Sequence, residues 1–191
     1  MSIDITKWLV AMLIMLAANM ALAADSNVIR IGYLDLENDR RYVEKQMIAR
    51  FPGLPWGRPL PAAEVALREA RFVAASVGVK FELQHERAEN TENLQASLAS
   101  LIDAGVQFVL LDLPADSVAT LSDYAKQHDV LLFNMTAKDD ALRQRLCANN
   151  LLHMIASQSM LSDALSQYLR FKKWKRVLLL VGPDENDIDA Q

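Results

Sequence analysis

Apolar residues change their spacing repeatedly along this chain, alternating between short compact runs and longer stretches that recur every three or four positions. Val28 to Leu34 (VIRIGYL), Val106 to Leu111, Val130 to Phe133 and Val177 to Val181 are nearly unbroken apolar runs, the pattern of strands buried on both faces. Val79 to Gln84 alternates Val79, Phe81 and Leu83 with Lys80, Glu82 and Gln84, which predicts a strand with one solvated face. Between these runs, Val65, Phe72, Val73 and Val77 mark an amphipathic helix over Ala63 to Val77, opened by Pro61 and ended by Gly78. A second helix is predicted from a Thr91 cap through Leu94, Leu98, Leu101 and Ile102 to Gly105, and a third over Pro114 to His128. Lys138 to Arg145 reads as a short helix and Met154 to Phe171 as a longer amphipathic one. Asp35 to Leu60 is polar and then rich in Pro and Gly, as a loop would be.

Strands that alternate with helices and stay apolar along their length predict an α/β fold with a doubly wound parallel sheet. Ligands of such sheets lie beyond the carboxyl ends of the strands. That rule selects three loops, Tyr33 to Asn38, Leu111 to Asp116 and Phe133 to Asp139, with His85 to Asn93 as a fourth.

The start of the chain carries a different pattern. Lys7 precedes an apolar stretch from Trp8 to Met20, broken only by Asn19, and Ala21-Leu22-Ala23 offers small residues at −3 and −1. This reads as a signal peptide over residues 1–23 cleaved before Ala24, so the expected location is the periplasm. The apolar run is short for a spanning helix of roughly 20 residues, and no second run approaches that length, so no stable membrane insertion is expected after cleavage. Over all 191 residues the hydrophobic fraction is 52% and the net charge −4. A pI near 5.4 gives no electrostatic reason to bind nucleic acid. Cys147 is the sole cysteine and is expected as a buried free thiol.

Chemistry-bearing motifs are scarce. There is no GxGxxG, no Walker A loop and no GxSxG elbow, and no cofactor is expected. His85, His128 and His153 lack metal-ligand spacing, and the acidic stretch Asp184 to Asp189 lacks the glycine of a calcium loop. The basic run Lys172 to Arg176 suits the C-terminal turn of a helix. What remains is the mouth of the sheet. Tyr33 and Asp35 end the first strand, Asp112-Leu113-Pro114 follow the third, and Asn134 and Thr136 follow the fourth. These polar groups read equally as contacts to a small ligand or as a helix cap (Asp112) and turn residues (Asn134, Thr136).

The segments IRIGYLDL, PAAEVALREARFVAASVGV, VQFVLLDLPADSV and DVLLFNMTAKDDALR, in this order, resemble the first lobe of type 1 periplasmic binding proteins. SMLSDALSQYLRFKKWKRVLLLVG resembles the crossing helix and first strand of their second lobe. With DLENDRRYVEKQMIARFPGLPWGRPLPAAEVALREARF, the likeness is greatest to solute-binding proteins of ABC transporters found with PQQ-dependent alcohol dehydrogenase systems. The resemblance implies a lobe over 24–153, a crossing helix over 154–175 and the start of an incomplete second lobe over 176–191. It also implies a receptor without catalysis, which closes on a small-molecule solute and docks on an ABC transporter permease. Asp112-Leu113-Pro114 and Asn134-Met135-Thr136 then correspond to the solute-holding loops. Thr136 suits a solute carboxylate. Asp112 opposes one unless a cation intervenes, so a neutral or alcohol-derived solute is as plausible as a branched-chain amino acid. With half a cleft, these 191 residues alone are expected to bind weakly or not at all. The alternatives are a ligand-sensing receptor domain of the same fold and an exported α/β enzyme using Asp112 as acid or base.

Overall fold

A computed structural model describes residues 27–43 and 57–178. The expected leader and cleavage point, residues 44–56 of the expected loop, the acidic tail, and all but Val177 and Leu178 of the expected last strand lie outside the described residues.

Five strands form one parallel sheet: β1 (Asn27–Leu36), β2 (Val79–Ala88), β3 (Phe108–Asp112), β4 (Leu131–Asn134) and β5 (Leu151–His153), in the order β2-β1-β3-β4-β5. The helices are α1 (Arg40–Val43), α2 (Leu60–Ser76), α3 (Leu94–Asp103), α4 (Ala115–Ala125) and α5 (Gln158–Phe171). Single 3-10 turns lie at Thr91–Asn93 and Asp140–Arg143. The expected α/β class and parallel sheet are both present. The chain leaves β1 toward β2 on one side and returns to β3 on the other, so the strand order reverses between β1 and β3. A crevice at the carboxyl ends of those two strands is where such sheets bind ligands.

Residue alternation gives the sheet two unlike faces. Leu34, Val109, Leu111 and Leu132 share one face and are fully buried with Leu98 and Leu101 of α3 and Val118 and Leu121 of α4. Gly32 lies on that face in a tight spot: a Cβ there would meet Leu101 of α3, Val106 and Val109 at 3.0, 3.1 and 3.3 Å. The other face carries Ile31, Leu83, Leu110 and Phe133, all half-buried, and at its upper end Tyr33 and Asp35. There α2 runs along β2, and the two line an open cleft of about 600 Å³ with Leu67, Ala74, Phe81 and Leu83.

Several boundaries differ from those read in the sequence, each for a local reason. Asn90, not Thr91, makes the cap before α3, its side chain accepting from the Asn93 N–H at 3.1 Å, and a 3-10 turn intervenes. At the other end, Val106 N donates to Leu101 O and Gly105 N to Ile102 O, the paired bonds of a Schellman cap that needs the left-handed Gly105. Strand β2 continues four residues past Gln84 because it pairs with β1 through Leu36, placing His85 and Arg87 on a strand rather than a loop. Arg40–Val43 is helical within the stretch read as a loop. Leu151–His153 joins β4 as an edge strand too short to show a period, so α5 begins only at Gln158, capped by Ser157. Cys147 is exposed, not buried, because it follows the Asp140–Arg143 turn outside the core.

The space at Gly32 provides a direct check on this packing. Gly32→Ala should lower the unfolding free energy by about 1–3 kcal/mol, because three well-packed side chains must give way together. Urea titration of the two proteins measures it, and an unchanged midpoint would contradict the close approach of α3.

Candidate functional site

Register places two aspartates side by side at the strand-order reversal. Asp35 of β1 is the direct partner of Asp112 of β3, and Arg87 of β2 is the partner of Asp35. Partners across a parallel sheet point to the same face, so Arg87, Asp35 and Asp112 form one row, with Tyr33 and His85 in the row behind. Both carboxylates are wholly buried. Buried charge survives only if it is paired and its lone pairs are filled.

Each aspartate has its own set of partners. Asp112 accepts from Tyr42 Oη at 2.6 Å, Thr136 Oγ1 at 2.9 Å, Arg41 Nη2 at 3.1 Å and Tyr33 Oη at 3.2 Å. Asp35 binds Arg87 through Nε and Nη2, both at 3.0 Å, Arg58 Nη1 at 2.9 Å and His85 Nε2 at 3.0 Å. A third buried carboxylate, Asp39, holds Arg41: the Arg41 backbone N–H donates to it at 2.9 Å and the guanidinium Nη2 at 2.5 Å. Arg41 also donates to the Leu113 carbonyl at 3.1 Å and to Thr136 Oγ1 at 2.8 Å. Its five N–H groups are therefore all engaged. Arg58 donates to the Glu37 carbonyl at 3.0 Å and lies over the Tyr42 ring at 4.9 Å.

Ionisation follows this pairing. Burial alone would raise the Asp35 pKa, but hydrogen bonds from Arg87 and His85 and the charge of Arg58 outweigh it and hold the carboxyl below the usual range. Asp39 is likewise lowered, burial being outweighed by the bonds from Arg41. The phenols of Tyr33 and Tyr42 are raised, by burial first and then by the Asp112 carboxylate, so both remain donors.

The sequence-selected residues separate into two groups. Tyr33, Asp35, Asp112 and Thr136 converge on one face. Asp112 does not cap α4, whose N-cap is Pro114 in extended conformation without a side-chain cap bond. The Leu113 side chain is buried in the core, and its carbonyl faces Arg41. Asn134 belongs to the opposite face, in register with Leu111 and His153. Its side-chain oxygen accepts from the Thr136 and Ala137 N–H groups at 3.2 and 2.9 Å, and its Nδ2 meets His153 Nδ1 at 3.0 Å. Asn134 thus builds the turn that presents Thr136. Asp39, Arg41, Tyr42 and Arg58 were not selected from the sequence, and His85 and Arg87 only as part of the fourth loop, His85 to Asn93. For His85 and Arg87, the alternation of β2, carried two more steps past Leu83, was the available signal. No group of His, Cys, Asp or Glu among the described residues is arranged to hold a metal, and no helix of them is long and apolar enough to cross a membrane.

Solved structures share this arrangement of sheet and helices. An ABC transporter substrate-binding protein from Desulfitobacterium hafniense, in complex with leucine, matches with TM-score 0.61 at 17% identity, covering 86% of this chain and 46% of that one. The fold is that of an ABC transporter substrate-binding protein lobe. The branched-chain amino acid transporter substrate-binding protein LivJ from Streptococcus pneumoniae, in complex with isoleucine, matches with TM-score 0.52 at 17% identity over 75% of this chain and 39% of its own. A periplasmic binding protein from Burkholderia mallei gives TM-score 0.55 at 14% identity, over 78% and 37% respectively. The chain spans less than half the length of each of these structures. No family profile and no curated protein matches it.

The carboxylate network makes stability dependent on acid. Asp35 and Asp39 have folded pKa values below their unfolded values, so their contribution is present above the ordinary carboxylate range near 4 and is lost as pH falls through the folded values. Chemical denaturation across that window should show stability falling with acidification. Asp35→Asn should flatten part of the slope and cost about 3 kcal/mol at neutral pH, since Arg58 and Arg87 then lose their counter-charge.

Proposed function

We propose that this chain forms one wall of a solute-binding cleft in the receptor of an ABC importer, with the solute resting on the carboxyl edge of β1 and β3. The observation that carries this reading is the preformed polar network at the strand-order reversal of a substrate-binding-protein fold. The role is binding rather than catalysis. Asp112, the candidate acid or base, is buried beneath four donors, an arrangement that holds geometry instead of exchanging protons with a substrate. The structural neighbours are substrate-binding proteins rather than enzymes.

In this reading the leader over residues 1–23 exports the chain to the periplasm, and Thr136, presented by the Asn134 turn, borders the solute with Pro114. The rest of the cleft comes from a second lobe, and the closed form docks on a membrane permease. The resemblance to receptors associated with PQQ-dependent alcohol dehydrogenases supports a reading in which the uptake serves alcohol oxidation.

Two measurements test this proposal. Exported protein should begin at Ala24 by mass spectrometry; an intact Met1 end would remove the periplasmic assignment. A thermal-shift screen of the protein with both lobes present, against small acids, amino acids, sugars and alcohols at millimolar concentration, should raise the melting midpoint for one class. If no class does so, the receptor reading fails.

A further inference from the structure

We infer that Arg58 and Arg87 receive the acidic group of the solute, so that the bound class is a small organic acid rather than a neutral alcohol. The inference rests on the receptor reading above and specifies its ligand.

The charges at the carboxyl edge are layered. Asp35, Asp39 and Asp112 lie at the bottom with 0, 3 and 0% of their surface exposed. The side chains of Arg58 and Arg87 lie above them, 20 and 42% exposed. A solute approaching from solvent therefore meets guanidinium groups before it meets any of these carboxylates. Most lone pairs beneath are already used: each oxygen of Asp35 accepts two bonds, Asp112 Oδ1 accepts three, and Asp112 Oδ2 accepts one from Tyr33. Arg41 has no N–H left to give, and the hydroxyls of Tyr33, Tyr42 and Thr136 are donated to Asp112.

Arg58 and Arg87 differ from these groups. Among the described residues, Arg58 uses one N–H on each of Nη1 and Nη2, leaving its Nε–H and two others. Arg87 uses Nε and one N–H of Nη2, leaving both donors of Nη1 and one of Nη2. Both anchor to the same buried carboxylate, which holds the two guanidinium groups beside each other at this edge with donors still unused. A planar carboxylate satisfies such donors in pairs, which a single alcohol oxygen does not. The exposed Glu37 also lies near Arg87, so a solute amine is tolerated at this edge but is not required by it.

Three probes of equal length separate the possibilities: butyrate, 2-aminobutyrate and 1-butanol, titrated at low salt into the protein with both lobes present. Both acids should bind at least about tenfold more tightly than the alcohol, the least that a charge-assisted hydrogen bond contributes. Binding should weaken as sodium chloride is added. The Nε–H signal of Arg58 should shift in the nitrogen–proton spectrum with either acid and stay fixed with the alcohol. Arg58→Gln and Arg87→Gln should each remove about tenfold of acid affinity. Each variant leaves Asp35 one arginine and His85, and the salt and spectral measurements on the unaltered chain decide the matter if a variant unfolds. An alcohol that equals or exceeds the acids overturns the inference and leaves the receptor reading standing. Acids that bind without moving the Arg58 signal overturn it as well. Failure of all three probes, together with every class in the thermal screen, overturns both.

Discussion

Two carboxylates on neighbouring strands, buried and in register, are the constraint around which the upper end of this sheet is organised. Adjacent strands lie about 4.8 Å apart, and like charges at roughly that distance repel by about 3 kcal/mol at an effective dielectric of 20. Water cannot relieve this repulsion for side chains without exposure. Cations and phenols must do so, and the local structure is arranged to supply them. β2 is extended to bring His85 and Arg87 beside Asp35, and a single helical turn at Arg40–Val43 lays Arg41 and Tyr42 over Asp112.

The short helix α1 illustrates how completely the network is connected. One turn of helix has little stability of its own. Asp39 accepts from the backbone and the guanidinium of Arg41, and Arg41 then ties the β1 loop to Asp112, Leu113 and Thr136 in the loops after β3 and β4. Three loops distant in sequence are thus joined through one side chain. The cation that Asp112 needed is therefore internal. The Asp112 charge is thus met within the chain, and the repulsion expected between Asp112 and a carboxylate ligand no longer counts against the proposed acidic solute.

The fold class and most helices were legible in the sequence because burial imposes a period, and Leu98, Leu101, Val109 and Leu111 show that period without ambiguity. Mouth residues on strands were legible for the same reason: a strand end can be located, as Asp35 and Asp112 were. Their partners were not, since nothing in the local pattern of Arg41, Tyr42 or Arg58 indicates that a loop folds back over the sheet. Asn134 was located but its face was not, because the direction of a strand's last residue depends on register with its neighbours. The edge strand β5, with three residues, offered no period at all.

Layering also determines how the site can bind. Arg87 is clamped by two parallel bonds to Asp35 and Arg58 by a carboxylate and a carbonyl, so neither guanidinium must be ordered when a solute arrives. Immobilising a free arginine typically costs about 0.5–1.5 kcal/mol, and here that cost is met during folding. In the proposed receptor, the buried aspartates therefore act on a solute indirectly, by fixing donors rather than by touching it. A carboxylate at the mouth of a receptor is then no argument against an acidic ligand. Its exposure and the occupancy of its lone pairs determine which sign of charge the solute encounters.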